Sequence, residues 1–183
     1  MRPARMIAAA ALLSIAGPAL AHPGHEVGLG GGLMHPLTGP DHLLAMIAVG
    51  LFAGMRGGRA TWAWPLAFLV SAALGFLAGP GAFPLAEPMV LASVLALGLL
   101  VATAVPVGLG AGVALVALFG LFHGQAHAAE AGTQAIGAFA VGFLVTSAAL
   151  HGAGLGLQRV AGPAWGRLAG AATLVGGLAL ALS

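Results

Sequence analysis

"LMHPLTGPDHLLAMIAVGLFAG", residues 33–54, decides how this chain is to be read. From Leu43 to Gly54 it is an uninterrupted apolar run, the composition of a helix that crosses a bilayer. Ahead of that run, His35, Asp41 and His42 sit among Pro36, Gly39 and Pro40. His35 and His42 are two helical turns apart, so an unbroken helix would place them on one face. The prolines work against an unbroken helix, because proline has no N–H to donate and its ring clashes with the preceding turn. A helix broken at membrane depth frees backbone carbonyls and is where transporters build ion sites. If the span ends just before Arg56, His42 lies about 12 Å below the opposite edge, at ~1.5 Å per residue. Leaving Asp41 unpaired there would cost about 3 kcal/mol or more, so a histidine or a cation beside it is expected.

The rest of the composition agrees with a membrane setting. The 183 residues are 60% hydrophobic and 5% charged, with a mean hydropathy of +1.06, against about 25% charged in ordinary soluble domains. The net charge of +2 is carried by the leader. Arg2 and Arg5 lie within it, and without them four arginines balance four acids. The pI of 11.3 follows from the scarcity of titrating groups and is no argument for a nucleic-acid partner. With no cysteine, a metal site must use imidazole, carboxylate, thioether or backbone oxygen. With no lysine, the phosphate-binding G-x-x-x-x-G-K-[ST] loop cannot occur, so this chain does not itself harness ATP through that loop.

Residues 1–21 have the form of a cleaved signal peptide. Arg2 and Arg5 make the basic start, residues 6–16 the apolar centre and Ala19-Leu20-Ala21 the small-x-small cleavage site. The mature chain, residues 22–183, would begin His22-Pro23-Gly24-His25-Glu26, with an α-amine and two imidazoles as exposed donors. The expected fold class is all-α integral membrane: a six-transmembrane-helix bundle with spans near 33–54, 62–79, 88–105, 107–123, 133–155 and 163–182. With both termini of the mature chain periplasmic, Arg56, Arg59, Arg159 and Arg167 all fall on the cytoplasmic side, as the distribution of positive charge in inner-membrane proteins requires. Glu26, Glu87 and Glu130 then fall outside, Glu87 as a solvated loop residue. Trp62, Trp64 and Trp165 stand at span ends, where interfacial anchors belong. Most of the 31 glycines read as close-packing positions between helices.

A second constellation is "FHGQAHAAE", residues 122–130, placed by these spans largely in an outer connector. His123, His127 and Glu130 follow i, i+4, i+7 spacing, so a helix continuing through them would align two imidazoles and a carboxylate for one divalent ion. The likeness to a zinc-protease helix is superficial, since Gly124 stands where the glutamate base would be. His151, in "ALHGAGLG", lies toward the inner end of the fifth span; packing and ligation are both open to it. Met34 and Met46 flank the first motif and read chiefly as core filler. Imidazole and carboxylate donors without thiolate suit Ni²⁺, Co²⁺, Cu²⁺ or Zn²⁺.

The motif "HPLTGPDHLLAMIAVGLFAG", with "FHGQAHAAE", the His-Pro start after the leader and the span count, resembles the HupE/UreJ family over essentially the whole chain. That resemblance implies a nickel permease, with cobalt in some members, that serves hydrogenase or urease maturation. Carried over by motif position, it implies metal contact at His35, Asp41, His42, His123, His127 and Glu130. Ala128 departs from the glycine that members often carry, without removing a ligand. The expected function is import of Ni²⁺ from periplasm to cytoplasm. The mature start, with His22 and His25, and the His123/His127/Glu130 cluster would capture the ion, the His35/Asp41/His42 site would bind it within the bundle, and His151 would assist release. The partners are the metal ion and the lipid bilayer, with a homo-oligomer left open. No prosthetic group and no enzymatic activity are expected. The rival readings are a membrane-embedded metalloenzyme, for which Glu130 is the obvious base, and a non-transporting metal-binding assembly factor.

Overall fold

The computed structural model describes residues 28–79, 81–82, 84–131 and 135–183. The leader, its cleavage site, His22, His25 and Glu26 lie outside the described residues. Among those described, the chain forms seven α-helices and no strand. They are α1 (Leu29–Thr38), α2 (Pro40–Arg56), α3 (Ala60–Leu77), α4 (Ala86–Thr103), α5 (Leu109–Glu130), α6 (Ile136–Ala161) and α7 (Pro163–Ala181). The last five are each long and apolar enough to cross a membrane alone. The pair α1–α2 reaches that standard only when taken together, with an 82° bend at its break.

Pro40 makes that break. It has no N–H for the ladder and disfavours helical geometry at the residue before it, so α1 stops and Gly39 turns extended (φ −83°, ψ 112°). Pro40 then starts α2 at a position where its missing donor is harmless, and Asp41 places its negative charge in the first turn. The expectation that His35 and His42 share one face of one helix is therefore corrected: they belong to different helices and meet across a corner. The carbonyls expected to open there are partly taken. His35 O accepts from Gly39 N (3.1 Å) and from the Thr38 hydroxyl (3.1 Å). This leaves side chains as the principal donors at the site.

Two further expectations need correction. The "HGQAHAAE" stretch is no connector, because α5 continues unbroken to Glu130. Gly124 does not end the helix. A Cβ there would lie 1.9 Å from the Ala72 carbonyl oxygen, so the glycine serves to press α5 against α3. Gln125 is buried and donates its side-chain N–H to the Gly79 carbonyl, which holds this turn inside the bundle. Glu87 is likewise not in a loop. It lies in the first turn of α4, with Pro88 tolerated beside it at the helix start.

Glycines set which helices touch. Along α3 and α5, Gly112 meets Trp64, Gly120 meets Phe68 and Gly124 meets Ala72, so the two run parallel in close contact. Gly50 against His151 and Gly154 against Ile47 do the same for α2 and α6. Gly98 against Leu174, and Gly170 against Ala102, bring α4 and α7 together antiparallel. With no hydrophobic force between helices in lipid, such small-residue contacts are a main source of association. Leu74, Leu77, Val160 and Val175 are exposed on the outside of the bundle, as lipid-facing residues are.

Arg56 and Arg167 gather at one end, where each Nε donates to a backbone carbonyl: Arg56 to Val107 (3.2 Å) and Arg167 to Ala102 (3.0 Å). Both line a cavity of about 280 Å³ with Trp64, Gln158 and Pro163. Trp62 is exposed, as an anchor should be, but Trp64 is not an anchor. It is fully buried, stacks on Phe52 (ring centroids 4.3 Å apart) and donates Nε1–H to the Leu109 carbonyl at 3.0 Å. Trp64→Phe keeps most of the ring and loses the bond, so it is expected to destabilise the bundle by about 1 kcal/mol. The check is a shift in unfolding midpoint in detergent; an unchanged midpoint would remove this bond from the account.

Candidate metal site

Three imidazoles from three helices converge at the corner between α1 and α2. His35 comes from α1, His42 from the first turn of α2 and His127 from the last turns of α5. One ring nitrogen from each lies within 4.8 Å of the others, a spacing that can hold one metal ion. Their ring centroids are 4.3 Å apart for His42 and His127, 4.6 Å for His35 and His127, and 5.7 Å for His35 and His42. The site has a wet side and a dry side. The His35 side chain is 27% exposed, whereas His127 is 0% and His42 is 4% exposed. Phe143 packs on His127 (4.0 Å) and Phe139 flanks His35 (5.8 Å), so the cluster is walled by aromatic rings of α6.

Two carboxylates hold the imidazoles. Asp41 Oδ1 lies 2.7 Å from His42 Nδ1 and also accepts the His42 backbone N–H at 2.8 Å. It thereby ties up one ring nitrogen and leaves Nε2, which is buried without a hydrogen-bond partner. A carboxylate bonded to the far nitrogen of a ligating histidine fixes its tautomer and raises its basicity. Gly39 makes room for this pair. A Cβ there would sit 3.1 Å from His42 Nδ1 and 3.2 Å from Asp41 Oδ1. Glu130 Oε2 lies 2.7 Å from His35 Nε2. It is 3.4 Å from His127 Nδ1, close enough to attract but not aligned for a hydrogen bond, and both His127 nitrogens remain unpartnered.

Buried polar atoms without partners are rare in folded proteins and ask for an explanation. Here they are concentrated on imidazole: His42 Nε2, His123 Nδ1 and both nitrogens of His127 and His151. A cation bound at the cluster would take up His42 Nε2 and one nitrogen of His127, and would place a positive charge near Asp41. The donor set of neutral imidazoles supported by carboxylates suits a borderline divalent ion.

The residues singled out in the sequence are therefore distributed along a line. His35, His42 and His127 form the cluster, with Asp41 and Glu130 against two of its rings. His123 is the next ring inward, 5.2 Å from His42. His151 is deeper and separated from His123 by the Phe68 ring, at 5.2 Å and 5.1 Å respectively. Met46 belongs to the apolar core and Met34 is exposed. Two participants were not legible as such. Glu87 lies within electrostatic reach of Glu130, Asp41, His42 and His35. Ser93 bonds His123; its only signal in the sequence is a hydroxyl in the middle of an apolar span.

The HupE / UreJ protein family matches residues 10–180. Protein HupE of Rhizobium leguminosarum bv. viciae is 40% identical over 182 residues, covering 95% of this chain and 94% of its own length. No solved structure matches the chain. With the family model matching residues 10–180 and a curated relative 40% identical over 95% of this chain, the chain belongs to the HupE/UreJ family.

Proposed function

We propose that the chain is an inner-membrane permease of six spans, α1 and α2 together forming the first, that carries Ni²⁺ or Co²⁺ from periplasm to cytoplasm. It acts as a facilitator or secondary transporter rather than as an enzyme, and supplies hydrogenase or urease maturation. The observation that carries this reading is the graded cluster: His35 reachable from solvent, His127 and His42 dry, all three within ligand distance. A cation entering past Glu130 exchanges water for imidazole as it moves inward. The arginine end supports the cytoplasmic assignment, since positive residues are retained on that side. Residues 1–21 are the cleaved leader, and His22 and His25 of the mature start deliver ions to the mouth. His123 and His151 continue the row of donors toward the other side.

Radioactive nickel uptake tests this in cells lacking other nickel importers, with variants matched for amount in the membrane. The wild type is expected to show saturable uptake and His42→Ala background uptake. Asp41→Ala is expected to lose roughly 10–100-fold, the effect of removing a carboxylate behind a ligating histidine. A correctly inserted wild type that imports neither nickel nor cobalt overturns the permease reading. Normal uptake by His42→Ala overturns the site.

A further inference from the structure

Ser93 stands on α4, and it is 0% exposed. Its Oγ lies 2.6 Å from the Val90 carbonyl oxygen and 2.9 Å from His123 Nε2. A serine hydroxyl has one proton. The Val90 carbonyl has none to give, so at 2.6 Å the hydroxyl must donate to it. The opposite assignment would press two oxygens together with no proton between them. Ser93 Oγ is thus an acceptor toward His123, and the donor is His123 Nε2–H. In a neutral imidazole, the form that binds metal, a proton on Nε2 leaves Nδ1 bare. His123 Nδ1 is buried and has no partner, and the neighbouring ring, His42, carries an equally unpartnered Nε2.

We propose that Ser93 is a positioning residue that locks His123 in its Nε2–H tautomer, so that Nδ1 serves as a metal-accepting donor one step inward from the His35/His42/His127 cluster. The proposal rests on the transport reading for its metal and on the two hydrogen-bond lengths for its tautomer. It gives the ion a next station on a ring already oriented, with no proton to be moved when the ion arrives. The Phe68 ring packs against His123, with centroids 5.2 Å apart.

The test uses the full-length chain, metal-free in nanodiscs and labelled with ¹⁵N-histidine, with His123 assigned by its absence in His123→Gln. Long-range ¹H–¹⁵N spectra of the wild type are expected to show the Nε2–H pattern for His123. Ser93→Ala should lose that preference and Ser93→Thr should keep it. Nickel uptake is expected to fall about 10–100-fold in Ser93→Ala, as when a second-layer partner of a metal ligand is removed, and to stay near wild type in Ser93→Thr. An Nδ1–H pattern in the wild type overturns the proposal without reference to any variant. So does undiminished uptake in Ser93→Ala, or an equal loss in Ser93→Ala and Ser93→Thr. A wild type with the expected tautomer and no uptake of nickel or cobalt overturns the transport reading instead.

Discussion

His127→Ala is expected to bring nickel uptake to background and to remove high-affinity binding of nickel by the purified chain. His127 is the centre of the cluster, with its ring between those of His35 and His42 and no exposure to solvent. Without it the remaining two imidazoles are 5.7 Å apart by centroid and the third imidazole of the cluster is gone. The loss should exceed the ~100-fold upper range seen for partners that act behind a ligand, because a ligand itself is gone. Calorimetric titration with nickel and cellular uptake should agree, and His127→Gln, which keeps much of the volume, should be nearly as defective. Met34→Ala, at an exposed position of α1, serves as the silent comparison. Uptake by His127→Ala at half the wild-type rate or more would remove the cluster from the transport path.

Gly124→Ala is expected to have the largest structural effect of any single methyl addition in the bundle. The new Cβ would fall 1.9 Å from the Ala72 carbonyl oxygen and 2.8 Å from the Phe76 nitrogen, and both obstacles are backbone. Helix α5 would have to withdraw from α3, taking His123 and His127 with it. Overpacking ordinarily costs about 1–3 kcal/mol, and a clash of two backbones belongs at the upper end of that range or above it. Gly50→Ala, whose Cβ would lie 2.1 Å from the His151 carbonyl oxygen, should behave similarly between α2 and α6. Gly110→Ala and Gly156→Ala meet nothing within 4 Å. In a helix, that exchange is favourable by about 1 kcal/mol, so these should unfold no earlier than wild type. Unfolding midpoints in detergent for the four variants decide the matter. Equal midpoints would mean that these glycines do not set the helix contacts.

What was legible in the sequence follows from signals that are local. Twenty-residue apolar runs specify helices in a bilayer whatever their neighbours do, so the expected spans 62–79, 88–105 and 163–182 match the helices Ala60–Leu77, Ala86–Thr103 and Pro163–Ala181 within two residues, whereas 107–123 and 133–155 stop short of helices that run on to Glu130 and Ala161. The Pro-x-x-Gly-Pro run announced a kink or break somewhere between residues 36 and 40 for the same reason, since a missing N–H is a property of one residue. Less legible was where a helix ends when its polar residues point inward. "HGQAHAAE" reads as a loop if its histidines and glutamate are assumed to face water. It is helix because Gly124 finds a partner helix and Gln125 finds the Gly79 carbonyl, neither of which lies nearby in the chain.

The sequence by itself determined an all-helical membrane chain, a break at the head of the span that begins near residue 33, and two histidine motifs with the donors of a borderline metal. It left open whether those motifs make one site or two, because seven residues along a helix and eighty between helices give no distance across a bundle. Only the tertiary structure decided this. The 82° corner at Gly39 and the close approach of α5 bring His35, His42 and His127 to a single point. The same packing leaves His123 beside that point, tied to Ser93 of a fourth helix.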